Sequence, residues 1–131
     1  MSDLQNPDVQ ALLSAPNHGV MSTFNGDGTI HSTVVWVGFE DGVLSVNSSR
    51  GRRWPTNLER DPHATLIVFD PSNPYSFVEV RGTVTGATDG AVDHVNKLAH
   101  KYIGRDYPWL QDGEQRVKFT FEPERVRFVK Q

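Results

Sequence analysis

Hydrophobic and polar positions alternate over most of this chain, which predicts a protein built mainly of β-strands. The clearest stretch is Thr29 to Phe39: His31, Thr33, Val35 and Val37 share one face, and Ser32, Val34 and Trp36 the other. Gly19 to Phe24 forms the strand before it. Asn25-Gly26-Asp27-Gly28 joins the two as a hairpin turn, because Asn and Gly tolerate positive φ. Glu40-Asp41-Gly42 turns the chain into Val43 to Asn47. Ala64 to Phe69 is almost continuously apolar, as expected of a central strand. Asp70 to Pro74 reads as a loop. Tyr75 to Thr85 then sets Val78, Val80 and Val84 against Glu79, Arg81, Thr83 and Thr85. Val117, Phe119 and Phe121 begin a last strand, which Pro123 interrupts and Val126 and Phe128 resume.

Helical spacing occurs in three places. Asn6-Pro7 supplies an N-cap and first helical residue for a short helix carrying Val9, Leu12 and Leu13, ended by Ala15-Pro16. A second short helix covers Pro55 to Arg60. In the longest, Asp89 is the expected cap, Val92, Val95, Ala99, Tyr102 and Ile103 share a face, and Asp93 with Lys97 forms an i,i+4 pair. Six strands linked by hairpins, with two or three helices, predict an antiparallel barrel with helices packed on it. The 131 residues form a single domain, 1–131, large enough to bury a core without staples.

Composition narrows the chemistry. With no cysteine, disulfides, thiolate metal sites and cysteine nucleophiles are excluded, and a reducing cytoplasm suits the chain. Thirteen basic against sixteen acidic residues leave a net charge of −3, a poor match for general nucleic-acid binding. Met1 to Gln5 shows no leader pattern and no apolar run approaches the ~20 residues of a membrane span, so a cytoplasmic protein without a membrane partner is expected. The five histidines have no metal-ligand spacing and read as structural or surface residues. There is no nucleophile elbow and no Walker loop. Gly82 and Gly86 lie inside a strand, where bulges explain them. If the protein is an enzyme, a cofactor carries the reaction.

One segment stands out against the acidic average. Asn47, Ser48 and Ser49 end a strand. Arg50, Arg52 and Arg53 follow, split by Gly51, and a helix then opens beside Trp54. Hydroxyl and amide groups bind anionic oxygens, glycine permits close backbone approach, arginine forks match phosphate, and a helix start offers free N–H groups. A solvated basic turn is the plain alternative.

Gly19-Val20-Met21-Ser22-Thr23, the Asp27-Gly28 turn, His31 to Trp36, Ser49 to Trp54, Asn57 to Pro62, Lys101 to Trp109 and Arg116 to Val129 follow one another along nearly the whole chain. In this order the sequence resembles the pyridoxamine 5′-phosphate oxidase-like split β-barrels, and among them the deazaflavin (coenzyme F420)-dependent branch of actinobacteria. The resemblance implies a six-stranded antiparallel split β-barrel that forms a homodimer, with the cofactor in a groove at the dimer interface. It places His31, Ser32, Thr33 and Val34 along the ring system. Asn47, Ser48, Ser49, Arg50, Gly51, Arg53 and Trp54 take the ribityl and phosphate groups, and Asn73, Pro74, Tyr75 and Ser76 reach in from the partner. The implied activity is hydride transfer from reduced coenzyme F420 to a small conjugated or unsaturated substrate. An FMN-dependent reductase or oxidase, or a non-catalytic flavin carrier, is the alternative. Many relatives carry lysine where this chain has Trp54, which either stacks on a ring or packs on the barrel. The C-terminal substrate motif of a true pyridoxamine phosphate oxidase is missing after Phe128, so that activity is not expected. Tyr102, on the apolar helix face, reads as core. Tyr107 reads as a proton donor or pocket wall, and Trp109 as a substrate-facing lid.

Overall fold

The computed structural model describes residues 3–131. Met1 and Ser2, part of the N-terminus read above, lie outside the described residues. Ten elements follow in order: α1 (Pro7–Ser14), β1 (Gly19–Phe24), β2 (Ile30–Val35), β3 (Gly38–Glu40), β4 (Val43–Ser49), α2 (Arg53–Arg60), β5 (His63–Asp70), β6 (Asn73–Ala87), α3 (Ala91–Ile103) and β7 (Arg116–Val129). The strands form one antiparallel sheet in the order β2-β1-β5-β6-β7-β4-β3.

That order explains why there are seven strands where six are expected. β2 and β3 lie at opposite ends of the sheet, yet only Trp36 and Val37 separate them along the chain. The sheet therefore curls until its ends nearly meet, and the stretch predicted as one strand from Thr29 to Phe39 breaks at the corner. Its alternation survives the break: Val35 and Val37 are buried, while Ser32 and Val34 face outward. The curled interior is filled by side chains such as Met21, Leu44, Val46, Leu66, Val78 and Phe119, with Val9 and Leu13 of α1 and Leu58 of α2 in the same core. Asn6 caps α1 as predicted, its side chain accepting from Asp8 N at 2.9 Å.

Gly82 is fixed by close approach. The β6–β7 register slips between Arg81 and Gly82, opposite Pro123, and a Cβ at Gly82 would lie 2.1 Å from the Glu122 carbonyl oxygen. No side chain fits there, so the glycine and the proline together make the bulge that bends the two longest strands.

Four local expectations are corrected. Asn73 and Pro74 do not belong to a loop: they begin β6, since the hairpin closes over Pro71-Ser72 and Asn73 pairs with Asp70. Gly90, at φ +73°, occupies the N-cap of α3 instead of Asp89. The buried face of α3 is Ala91, His94, Val95, Leu98 and Ala99, with Val92 and Ile103 exposed, because both β4 and β7 pack beneath the helix. Lys97 reaches Glu40 at 3.4 Å instead of pairing with Asp93.

Candidate functional site

The barrel is open along one seam. β3 pairs only with residues 43–45 of β4, and β2 pairs only with β1. Residues 46–49 of β4 therefore face β2 across a gap with no strand between them. A groove of about 550 Å³ occupies this gap. His31, Thr33, Val34 and Val35 border it from β2, Asn47 and Ser48 from β4, and Arg52, Arg53 and Trp54 from the start of α2. Its far side is built from Val95 and Leu98 of α3, with Trp36, Tyr107, Trp109, His18 and Arg116.

The two ends differ in chemistry. At one end Arg52 and Arg53 are exposed, and Arg53 has a single long hydrogen bond, to Asn25 at 3.3 Å. No side chain caps α2; Arg52 N donates to the Ser49 carbonyl and Pro55 has no N–H, so the free N–H groups at its start are those of Arg53 and Trp54. Free N–H groups beside two guanidinium groups suit a phosphate. The other end is aromatic. Trp36 stacks on Tyr102 at 5.4 Å, Tyr107 meets Trp36 edge-on at 6.0 Å, and Trp109 meets Tyr107 at 5.5 Å. The Tyr102 hydroxyl donates to the Asn17 carbonyl at 2.6 Å and accepts from Val37 N at 3.0 Å; burial raises its pKa to about 12. It is a structural pin, as its place on the apolar helix face predicts.

Under the groove runs a polar chain that sequence patterning does not show. Arg116 Nε donates to Asn47 Oδ1 at 2.9 Å, and Asn47 Nδ2 donates to the Ala91 carbonyl at 2.9 Å. An arginine only donates and a carbonyl only accepts, so these partners fix the amide's orientation. Asn47 Nδ2 therefore also donates to His94 Nδ1 at 2.9 Å, which leaves the imidazole proton on Nε2, donating to Ser45 Oγ at 2.8 Å. His94 is 8% exposed, and its pKa falls to about 4, mainly through burial, with Lys118 and Lys97 adding repulsion and Glu40 opposing them. A proton on Nδ1 would confront a donor on Asn47. The unfolded chain, with the ordinary value of 6.5, takes up this proton first as pH falls. Stability is thus expected to be full above pH 6.5 and to drop between about 6.5 and 4. Thermal unfolding of the wild type and His94→Gln across this window checks it: a wild-type slope no steeper than the variant's would refute the assignment.

The structure gathers His31, Thr33, Val34, Asn47, Ser48, Arg53 and Trp54 around the groove, and leaves the other expected residues off its wall. Ser32 faces outward and bonds Ser22 at 2.8 Å. Ser49 is buried and accepts from Arg116 Nη1 at 3.1 Å. Arg50 turns away, donating to Glu59 at 3.0 Å and Gln115 at 2.9 Å, and Gly51 shapes the turn at φ +99°. Asn73 and Ser76 both donate to the C-terminal Gln131 carbonyl oxygen, and neither they nor Pro74 and Tyr75 border the groove of their own chain. Among the described residues no cluster of metal-binding side chains occurs, and no helix is long and apolar enough to cross a membrane.

A family model described as pyridoxamine 5′-phosphate oxidase matches residues 6–130. The chain belongs to that family. Among solved structures, this member of the pyridoxamine 5′-phosphate oxidase family is similar to one described as an F420 reductase, with 28% identity and a TM-score of 0.81 over 90% of this chain and 94% of the other. It shares its fold with a conserved hypothetical protein of Mycobacterium tuberculosis, at 18% identity and TM-score 0.78 over 98% and 84% of the two chains. It also shares it with a heme binding protein of Mycobacterium smegmatis, at 19% identity and TM-score 0.71 over 93% of this chain and 52% of that one. No curated protein matches the sequence. The curled antiparallel sheet found here is the split barrel of that family.

Proposed function

We propose that this protein is a reductase that uses reduced coenzyme F420 on a small conjugated substrate. The observation that carries the reading is the polarity of the groove: free helix N–H groups with Arg52 and Arg53 at one end, packed aromatic rings at the other. A phosphorylated, flat, tricyclic cofactor has the same division. The 28% identity to a structure described as an F420 reductase supports the deazaflavin over FMN. Such a cofactor supplies a hydride when reduced. The chain's part is to hold the phosphate at α2, to seat the ring beside His31, Thr33 and Val35, and to keep a substrate against it. Among the described residues no aspartate or glutamate borders the groove, so the product takes its proton from solvent or from His18, His31 or Tyr107, which do border it. The apolar outer side of β2, where Ile30 and Val34 are 66% and 65% exposed, is the surface proposed for a second copy of the chain.

Titration with oxidised coenzyme F420 and FMN side by side tests the cofactor, and light scattering tests the dimer. Turnover of reduced F420 with a panel of quinones and enones tests the reaction. Tighter F420 binding, a dimer mass and substrate-dependent F420 oxidation are expected. Much tighter FMN binding overturns the cofactor choice. F420 binding without oxidation across the panel makes the protein a carrier.

A further inference from the structure

Arg116 is 5% exposed yet borders the groove, and nothing in the proposed reduction uses it. Its Nε donates to Asn47, and its Nη1 donates to Ser49 at 3.1 Å and Glu114 at 3.0 Å. The Tyr107 ring lies 4.9 Å from its Cζ and fixes the plane of the guanidinium. Among the described residues no side chain or carbonyl accepts from Nη2. No buried side-chain polar atom is left unpartnered among them either, so Nη2 keeps some exposed surface, and the groove is the cavity that Arg116 borders. One edge of a buried, four-point-anchored arginine is thus presented to whatever lies against Tyr107.

The neighbouring charge selects the partner. The half-buried Glu114 lies beside Arg116, its side chain only 8% exposed. Burial pushes its carboxyl up, but the Gln111 N–H and Arg116 outweigh this and hold it ionised, below its ordinary value. Arg116 is therefore already neutralised. A second carboxylate arriving at Nη2 would meet Glu114's charge, whereas a neutral carbonyl oxygen gains a charge-assisted hydrogen bond without that repulsion. Tyr107 and Trp109, at the same end, favour a flat ring system beside the carbonyl.

We propose that Arg116 is a substrate-binding residue that selects conjugated ketones and quinones by donating Nη2–H to their carbonyl oxygen. This deepens the reductase reading and rests on it for the word substrate, but the binding preference does not depend on any cofactor.

The test compares three probes on the full-length chain by NMR titration of the tryptophan indole N–H signals: 2-acetylnaphthalene, its isostere 2-isopropenylnaphthalene, and 2-naphthoate. The ketone is expected to bind about tenfold more tightly than the alkene and at least as tightly as the carboxylate. Arg116→Met alone strands the buried side chain of Glu114, so the paired variant Arg116→Met/Glu114→Gln keeps the interior neutral; in it the ketone preference disappears. An equal affinity of ketone and alkene in the wild type overturns the proposal, as does a preference that survives the paired variant. Tighter naphthoate binding overturns the selection of a neutral carbonyl. Loss of about tenfold in F420 or FMN affinity in the paired variant would give Arg116 to the cofactor and overturn the substrate assignment. If neither cofactor binds the wild type, the reductase reading fails while the ketone comparison still decides the role of Arg116.

Discussion

Replacing Trp54 with alanine is expected to lower the free energy of unfolding by about 3–5 kcal/mol, the range for truncating a large buried aromatic. Trp54 is the second residue of α2 and only 7% exposed, with its ring tilted against Phe119 at 5.2 Å inside the barrel core. Cutting it to a methyl leaves a cavity between helix and sheet. A domain of this size has roughly 5–15 kcal/mol in total, so the loss is a large part of it. Because Trp54 also borders the groove, water enters part of the cavity and the loss falls toward the lower end of that range. Denaturant unfolding of wild type, Trp54→Phe and Trp54→Ala measures it, with the phenylalanine variant expected between the other two. A loss below about 1 kcal/mol for Trp54→Ala would mean that the ring is a platform for a ligand and not part of the core. Of the two readings open from the sequence, stacking on a ring or packing on the barrel, the geometry favours packing. The side chain also covers the floor of the site.

Most strands were legible because each has one wet face and one dry face, which period-two alternation records directly, and β5 because its apolar run marks a strand inside the sheet. The corner at Trp36-Val37 was not, since those residues continue the alternation while the chain passes from one end of the sheet to the other. Closure of a barrel is a property of non-local pairing, and local pattern carries no trace of it. The start of β6 was hidden for a different reason. Asn73 and Pro74 have turn chemistry, but the hairpin needs only Pro71-Ser72 to close, so they are drawn into the strand. Asp89 looked like a cap by type, and the backbone placed Gly90 there because the entry to α3 uses a left-handed residue.

At the site, the segment from Asn47 to Trp54 was readable because anion-binding chemistry is local: small polar side chains, arginines and a helix start fall within one turn of chain. What was missed came from elsewhere in the sequence. His94 stands at an apolar position of α3 and gains its role only when Asn47 and Ser45 meet it across a strand. Arg116 shares the polar face of β7 with Lys118 and Thr120, and nothing in their alternation marks Arg116 as buried and Lys118 as not. Its burial follows from the α3–β7 loop, which lays Tyr107 over it. Conversely, Arg50 belongs to the arginine cluster by sequence and leaves it by structure, because Glu59 one helix later and Gln115 on the adjoining loop claim its guanidinium.

That division makes the cluster testable residue by residue. Arg53→Ala and Arg52→Ala are each expected to weaken cofactor binding by about 1.5–3 kcal/mol, roughly ten- to a hundredfold in Kd, if each gives a charge-assisted hydrogen bond to phosphate. Arg50→Ala is expected to leave Kd unchanged within about twofold, since its side chain lies off the groove and is already paired. All three remove one positive charge within four residues of chain, so a general field effect would weaken binding in all of them alike. Calorimetric titration of the three variants at two salt concentrations separates the cases. Loss confined to Arg52 and Arg53, shrinking as salt screens these exposed groups, places the phosphate at the start of α2. Equal losses in all three would reduce the cluster to a diffuse positive patch. Unchanged affinity in all three would return it to a solvated turn and move the phosphate elsewhere in the groove.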